Sequence, residues 1–179
     1  TALPQARAER AQAGHAQGRP YKINLWTGAS TAPECEGALA QAHAIGQRLP
    51  FNTDPLARQQ INAGEIDFID MHLSHVAQHA WFGFFGKMHV AVIEVLGVTA
   101  DGLLIPSTAI GNNKTWLEIA DQVILAVNTK LSGAMAGMHA IYYGTAIPPR
   151  RMPISMTPAD NRIGEPYLKA APAKALAVV

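Results

Sequence analysis

Two short, continuous apolar runs stand out in the pattern of hydrophobic and polar positions along the chain. They are Val90–Leu96 and Gln122–Val127, both rich in valine and isoleucine. Runs of this length and composition predict strands buried on both faces, as in a sheet covered by helices. Between them lie a turn at Ala100–Gly102, a loop at Gly111–Asn113 and a helical pattern over Thr115–Ala120. This order predicts a crossover unit, with its loop where α/β sheets bind ligands.

Alternating strands and helices also precede this unit, and a proline-rich connector follows it. The predicted strands are Tyr21–Thr27 and Ile66–Ile69, the predicted loop is Arg48–Pro55, and the predicted helices are 4–17, Pro33–Ile45, Pro55–Ala63 and Ser74–Phe82. Asp54 and Thr115 are predicted helix caps. The pattern therefore predicts an α/β fold with an open, mostly parallel sheet and helices on both faces.

Composition narrows the class of protein. The chain has 179 residues, 49% hydrophobic and 15% charged, with a formal net charge of +1. This balance is typical of a globular chain and argues against a nucleic-acid or membrane-surface partner that binds through charge. Cys35 is the single cysteine, so an internal disulfide is excluded. With no signal-peptide pattern and no apolar run of about 20 residues, a cytoplasmic location is expected.

The two ends of the chain suggest a piece of a longer protein. The first residue is not Met, and Ala175–Val179 has the pattern of a strand that is cut off mid-run. An edge strand at a natural terminus is the alternative. The prolines between Ala146 and Pro172 predict an extended segment before that strand.

Several residues are candidates for chemistry on local grounds. The turn at Ser30 and Thr31 follows a predicted strand and precedes a predicted helix, which suits an anion or a carboxylate, although simple capping is favoured. His72, His75 and His79 would share one helical face if the helix predicted from Ser74 started earlier, but packing is favoured over a metal site because H-E-x-x-H is absent. Glu94, inside an apolar run, must pair or shift its pKa.

The order of motifs goes further than any one of them. The motifs are LWTGAST (Leu25–Thr31), LPFNTD (Leu49–Asp54), INAGEIDFIDMHLSHVAQ (Ile61–Gln78), GKMHVAVIEV (Gly86–Val95), IPSTAIGNNKTW (Ile105–Trp116), ADQVILAVN (Ala120–Asn128) and RIGEPYL (Arg162–Leu168). In this order they resemble the N-terminal half of the acetyl-CoA hydrolase/transferase family. That family includes succinyl-CoA:acetate and propionyl-CoA:succinate CoA-transferases.

The resemblance implies an enzyme of two α/β domains with the active site between them. Residues 1–147 would be the N-terminal domain without its first strand and turn, and residues 148–179 a connector to the C-terminal domain. The family's catalytic glutamate attacks the acyl-CoA thioester and passes through an anhydride to a glutamyl-CoA thioester. That glutamate belongs to the C-terminal half, so no catalytic residue is expected in this chain. Coenzyme A would be a substrate, with no permanent cofactor, and the complete enzyme a homo-oligomer.

The resemblance also implies which residues bind substrate. Ser30 and Thr53 match the family's polar residues near the bound carboxylate, with Gly28 in the same turn as Ser30. Gly111, Asn112 and Asn113 match a loop that faces the cleft. The expected function is CoA transfer between a short-chain acyl-CoA and a carboxylate such as acetate, succinate or propionate. The alternatives are an acetyl-CoA hydrolase and a non-catalytic binding or assembly domain.

Overall fold

The computed structural model describes residues 6–7, 9–10, 13, 18, 21–28 and 33–179. The chain divides into two compact units, Thr1–Val76 and Ala77–Val179. Each unit contains an open sheet with helices, so the predicted α/β class is confirmed, with two separate sheets in place of one. The division into a domain at 1–147 and a connector at 148–179 stays a prediction.

The first unit is built on a three-stranded parallel sheet. Its order is β1-β2-β3, with β1 at Ile23–Trp26, β2 at Ile45–Leu49 and β3 at Asp67–Phe68. Two helices connect these strands, α1 at Glu36–Gln41 and α2 at Pro55–Asn62. A third helix, α3 at Leu73–Trp81, contains the boundary between the two units.

The central strand β2 is where the sequence-based prediction is wrong. The helix predicted over Pro33–Ile45 is shorter, because His43 takes a left-handed backbone with φ of 49° and Ile45 already lies in β2. The predicted loop at Arg48 begins inside the same strand. Gly46, Gln47 and Arg48 interrupt any apolar run, so β2 lacks the pattern of a buried strand.

Small and branched apolar side chains fill the core of the first unit. Alanines on the helices let them pack closely against the sheet. The buried members are Leu39, Ala40, Ala42, Ala44, Ile45, Ala57 and Ile66, with Tyr21, Ile23, Leu25, Cys35 and Ile61 packed against them. Asp54 caps α2 as predicted, since its side chain accepts a hydrogen bond from the backbone of Ala57 at 2.8 Å.

The second unit contains a four-stranded sheet in the order β5-β4-β6-β7. Its strands are β4 at Val90–Val98, β5 at Leu104–Pro106, β6 at Gln122–Val127 and β7 at Ala175–Val178. Strand β5 is antiparallel to β4, whereas β4, β6 and β7 are mutually parallel. Helix α4, Asn113–Ile119, connects β5 to β6, and short 3-10 turns lie at Gly133–Met135 and Pro172–Lys174.

Both apolar runs form the predicted strands, and the crossover between them is confirmed. A tight turn at residues 99–103 inserts β5, because the Thr99 amide bonds the Leu103 carbonyl at 2.8 Å. The prediction that β4 is buried on both faces is wrong, however. Ala91, Ile93 and Val95 are buried while Val92 is 50% exposed, so one face of β4 lies open in this chain.

The last fifty residues contain little regular structure, as their prolines predict. Isolated bridges pair Leu104 with Leu168 and Ile141 with Glu165, and Leu168 is fully buried. Strand β7 then confirms the strand predicted at the end of the chain. No helix among the described residues combines the length and apolar character needed to cross a membrane.

Candidate functional site

The first candidate region is the carboxyl edge of the first sheet, which we call the β1–β2 edge. It consists of Thr27 and Gly28, which follow β1, and residues 50–54, which follow β2. The two strands are parallel neighbours, and the Thr27 amide bonds the Leu49 carbonyl at 3.2 Å. Ligands of α/β sheets bind beyond the carboxyl ends of the strands, so this edge is well placed for a site.

Arg48, the penultimate residue of β2, joins the two parts of this edge. Its Nη2 donates to Thr27 Oγ1 at 2.8 Å and to the Phe51 carbonyl at 2.6 Å. Its other nitrogens donate to the Leu49 carbonyl and the Glu36 carboxylate. The guanidinium suits this role because its five N–H donors lie in one plane and point outward in fixed directions.

Arg48 and Glu36 form a buried ion pair, with side chains 0% and 1% exposed. Burial raises the pKa of the Glu36 carboxyl, and the charge and hydrogen bond of Arg48 oppose that rise. Burial likewise lowers the pKa of the Arg48 guanidinium, against the charge of Glu36. The two groups therefore depend on each other to stay ionised away from water.

Side chains also fix the loop after β2. Asn52 Oδ1 accepts from the Asp54 amide at 3.1 Å, and Asn52 Nδ2 donates to the Asp54 carbonyl at 3.2 Å. Gly37 of α1 lies close to this loop, since a Cβ there would come within 3.0 Å of Asp54 Oδ2. Both residues next to Thr53, Asn52 and Asp54, are therefore fixed by hydrogen bonds.

The substrate-binding residues predicted in this unit lie on the β1–β2 edge as far as the structure describes them. Gly28 is exposed, and its carbonyl accepts from Thr27 Oγ1 at 2.5 Å. Thr53 is half-buried, with its carbonyl 3.4 Å from Nη2 of Arg58. Ser30 and Thr31 lie outside the described residues.

One local argument for an anion at Ser30 is weakened by the structure. Helix α1 begins at Glu36, later than the predicted start at Pro33. Its first turn already holds the Glu36 carboxylate, which Arg48 neutralises. The dipole of this short helix is therefore already matched by an internal charge, and the case for Ser30 depends on its motif.

The second candidate region is the loop 107–112 of the second unit. Pro106 of β5 pairs with Val95, which in turn pairs with Val127, the last residue of β6. The loop therefore leaves the sheet level with the carboxyl end of β6. It carries Gly111, whose φ of 43° is left-handed, and Asn112, both predicted to face a ligand.

Backbone and amide contacts shape the end of this loop. The Asn113 amide bonds the Ile110 carbonyl at 2.8 Å, and Asn113 Nδ2 donates to the Ala109 carbonyl at 3.1 Å. Asn112 occupies the N-cap of α4, but its side chain makes no capping hydrogen bond. The prediction that Thr115 caps this helix is wrong, because Thr115 is buried inside it.

Lys114, in the first turn of α4, makes several contacts that stabilise the position of this helix. Lys114 Nζ donates to Glu118 Oε1 at 2.6 Å and to the Thr145 carbonyl at 3.2 Å, and lies 4.9 Å from the Trp81 ring centre. These contacts assign Lys114 to packing and charge pairing. The hydroxyl of Ser107 is buried and has no hydrogen-bond partner in the described part of the chain.

Other residues considered from the sequence have structural partners. Glu94 lies on the exposed face of β4, so the expectation of a buried carboxylate is wrong, although its side chain accepts a hydrogen bond from Asn128 Nδ2 at 2.9 Å. His79 stacks on Phe85 with ring centres 6.0 Å apart, and His72 meets His75 edge to face. Within residues 6–7, 9–10, 13, 18, 21–28 and 33–179, no cluster of three His, Cys, Asp or Glu residues could hold a metal ion.

Arg48, which bonds both segments of the β1–β2 edge, is a residue that sequence reasoning missed. Its signal is weak, because a charged residue between Gln47 and Leu49 reads as part of a loop. Only the pairing with Glu36, twelve positions upstream, reveals its burial.

Comparisons with known proteins agree with the motif order. Residues 1–146 match the acetyl-CoA hydrolase/transferase N-terminal domain family. The chain is 41% identical over 159 residues to succinyl-CoA:acetate CoA-transferase of Clostridium kluyveri, covering 89% of this chain and 29% of that protein. It is 40% identical over 178 residues to propanoyl-CoA:succinate CoA transferase of Escherichia coli, covering 99% of this chain and 36% of that protein.

Hydrolases are also among the relatives. Acetyl-CoA hydrolase of Yarrowia lipolytica is 33% identical over 184 residues, which cover 99% of this chain and 35% of that protein. The chain thus spans about a third of the length of these curated relatives. Among solved structures, RipA from Yersinia pestis matches with a TM-score of 0.53 at 15% identity, over 70% of this chain and 30% of that one, which shows a shared fold.

Proposed function

The chain belongs to the acetyl-CoA hydrolase/transferase family as an N-terminal domain, and we propose that it forms the carboxylate-binding side of an acyl-CoA transferase. The complete enzyme would move CoA between a short-chain acyl-CoA and a carboxylate such as acetate, succinate or propionate. It would combine this chain with a C-terminal domain that supplies the catalytic glutamate. Coenzyme A would enter as a substrate.

One observation carries the assignment of the carboxylate side. Gly28 and Thr53 lie at the carboxyl ends of two adjacent parallel strands, and buried Arg48 bonds the segments on which they lie. A hydroxyl and backbone amides at such an edge can donate hydrogen bonds to a carboxylate. Ser30 and Thr53 would supply the hydroxyls.

The chemistry would proceed by covalent catalysis. The glutamate carboxylate attacks the thioester carbonyl, the C–S bond breaks, and CoA leaves as a thiolate, which gives an acyl-glutamyl anhydride. The thiolate then attacks the glutamyl carbonyl and expels the first carboxylate, which leaves a glutamyl-CoA thioester. An acceptor carboxylate reverses both steps. Hydroxyls of Ser30 and Thr53 would hold the departing and arriving carboxylates, and the loop Gly111–Asn113 stays a separate substrate-binding prediction for the second unit.

Substitution of the two hydroxyl residues tests this proposal. In the complete enzyme, Ser30→Ala and Thr53→Ala should each raise KM for the acceptor carboxylate about tenfold, with KM for acyl-CoA nearly unchanged. Ser155→Ala and Thr157→Ala, at exposed positions of the proline-rich segment, are matched controls. An effect confined to acyl-CoA affinity would contradict the assignment.

Hydrolysis is the second candidate, favoured by the likeness to the Yarrowia lipolytica hydrolase. Water would then take the place of the acceptor carboxylate in attacking the glutamyl intermediate. Release of free CoA from acetyl-CoA without an acceptor would identify a hydrolase. An acceptor-dependent rate would identify a transferase.

The location of the nucleophile has its own test. This chain alone should not transfer CoA from succinyl-CoA or acetyl-CoA to a carboxylate, and addition of the C-terminal domain should restore transfer. Activity of the chain alone would place the nucleophile within these residues, with Glu94 the first to substitute.

A further inference from the structure

We infer that Arg48, buried near the end of β2, is a positioning residue that sets the geometry of the carboxylate site. It would hold the turn after β1 and the loop after β2 at the spacing that a bound carboxylate requires. This inference rests on the proposed function. It adds to that function a residue that has no contact with the substrate.

The contacts of Arg48 reach three separate segments of the first unit. One is α1, through the carboxylate of Glu36, and another is the turn after β1, through Thr27 Oγ1 at 2.8 Å. The third is the loop after β2, through the carbonyl of Phe51, while the Leu49 carbonyl at the end of β2 accepts a further bond. A single planar guanidinium thus crosslinks both halves of the β1–β2 edge.

Two of these contacts lead on to residues of the proposed site. Thr27 Oγ1, which accepts from Arg48, donates in turn to the Gly28 carbonyl at 2.5 Å. The Phe51 carbonyl lies two residues before Thr53 in the same loop. Displacing either segment by about 1 Å would misplace the donors, and catalytic geometry is sensitive on that scale.

Burial explains why Arg48 acts through other residues. Its side chain is 0% exposed and its nitrogens already donate to four protein oxygens, so a carboxylate at the exposed Gly28 would not replace these bonds. A buried ion pair is a poor source of stability, because desolvation offsets the attraction between the charges. Its distinctive contribution here is the fixed, multidirectional fork, which a lysine cannot supply.

Two substitutions test this role in the complete enzyme. Arg48→Lys keeps the charge and removes the fork, and Thr27→Val removes one acceptor while leaving the Arg48–Glu36 pair intact. We expect KM for the acceptor carboxylate to rise about tenfold in Arg48→Lys and about threefold in Thr27→Val. KM for acyl-CoA should change less than about twofold in both. Arg150→Lys, at an exposed position, is the matched control.

Parallel measurement of Ser30→Ala and Thr53→Ala separates the two ideas. If those two variants raise KM for the carboxylate while Arg48→Lys and Thr27→Val leave it unchanged, the positioning role is wrong and the proposed function stands. If all four leave it unchanged, the proposed function is wrong.

A merely structural role for Arg48 has a different signature. Arg48→Lys would then lower the amount of folded enzyme and its maximal rate but leave both KM values unchanged. The Thr27→Val enzyme would have the same KM values and rate as the unsubstituted enzyme. That outcome would overturn the inference. Should Arg48→Lys fail to fold, Thr27→Val decides alone, because a rise in its carboxylate KM supports positioning and an unchanged KM contradicts it.

Discussion

The two candidate loops are built by different means. Residues 50–54 after β2 are fixed by side chains, since Arg48 bonds the Phe51 carbonyl and Asp54 caps α2. Residues 107–112 after β5 are fixed mainly by the backbone and by Asn113, whose amide and side chain bond the Ile110 and Ala109 carbonyls. Asn112 lies at the N-cap of α4, but its side chain makes no capping hydrogen bond.

The two loops thus contain two kinds of polar side chain. Some make hydrogen bonds that stabilise the loop, and others make none. A capping aspartate or a buried arginine is already committed to the fold, so its removal should cost stability first. A polar residue at a cap position without a capping bond contributes little to the fold. The loss of unfolding free energy on substitution should therefore increase with the number and strength of the bonds that the side chain makes within the protein. The following measurements test that ranking.

Arg48→Met should have the largest effect. It leaves the Glu36 carboxylate buried without its partner, which costs about 3–5 kcal/mol of unfolding free energy. Urea denaturation of the 179-residue chain, with Arg150→Met as control, measures the loss. The double variant Glu36→Gln/Arg48→Met should recover part of it, because no buried charge then remains. A loss below about 1 kcal/mol would mean that water reaches this pair.

Asp54→Ala should come second. It removes the bond from the Ala57 amide and exposes the first turn of α2, at a cost of about 0.5–2 kcal/mol. Asp160→Ala, at an exposed position in the second unit, is the matched control for loss of a carboxylate. Equal midpoints for the two variants in thermal denaturation would show that the cap does not stabilise the loop.

Ser107→Ala should act in the opposite direction. Its buried hydroxyl has no partner among the described residues, so removing it should relieve a desolvation cost and stabilise the chain by about 1 kcal/mol. Ser155→Ala, at an exposed hydroxyl, should change nothing. Destabilisation by Ser107→Ala would show that this hydroxyl is hydrogen-bonded in solution.

Alkaline pH should affect the first unit through Cys35. Burial, and then the charge of Glu36, raises the pKa of this thiol above 9.0. The unfolded thiol ionises first, so the stability that Cys35 contributes is complete below pH 9.0 and is lost as pH rises through the folded pKa. Cys35→Ala should therefore show a shallower fall in urea midpoint above about pH 9. Identical pH profiles would contradict the burial of the thiol.

Tyr143 in the second unit is the internal reference for that experiment. Burial raises the pKa of its phenol above 10.0, so its contribution has the same sign and begins to fall at higher pH. Tyr143→Phe should leave the Cys35 slope just above pH 9.0 in place. The two variants together assign the alkaline transition to one unit or the other.

The sequence predicts β1 and β3 of the first sheet and β4, β6 and β7 of the second, but neither β2 nor β5. Strands β4 and β6 are continuous apolar runs, so their pairing follows from local pattern. Strand β2 contains Arg48, whose burial depends on Glu36 in another element. A local sequence pattern cannot reveal an ion pair between distant residues, so it does not predict β2, the central strand of the first sheet. For the same reason the motif order indicated Thr53 and Gly28, but not the residue that joins their segments.

Asn112→Ala should have the smallest effect on stability. Its side chain makes no capping bond, so the free energy of unfolding should change by less than about 0.5 kcal/mol. The proposed function gives this side chain a different role, because the loop Gly111–Asn113 would face the substrate. In the complete enzyme the same variant should then lower kcat/KM about tenfold at unchanged stability. Asn161→Ala, in the exposed proline-rich segment, should alter neither quantity. Full activity in Asn112→Ala would remove this asparagine from the site, and a large loss of stability would mean that it caps α4 after all.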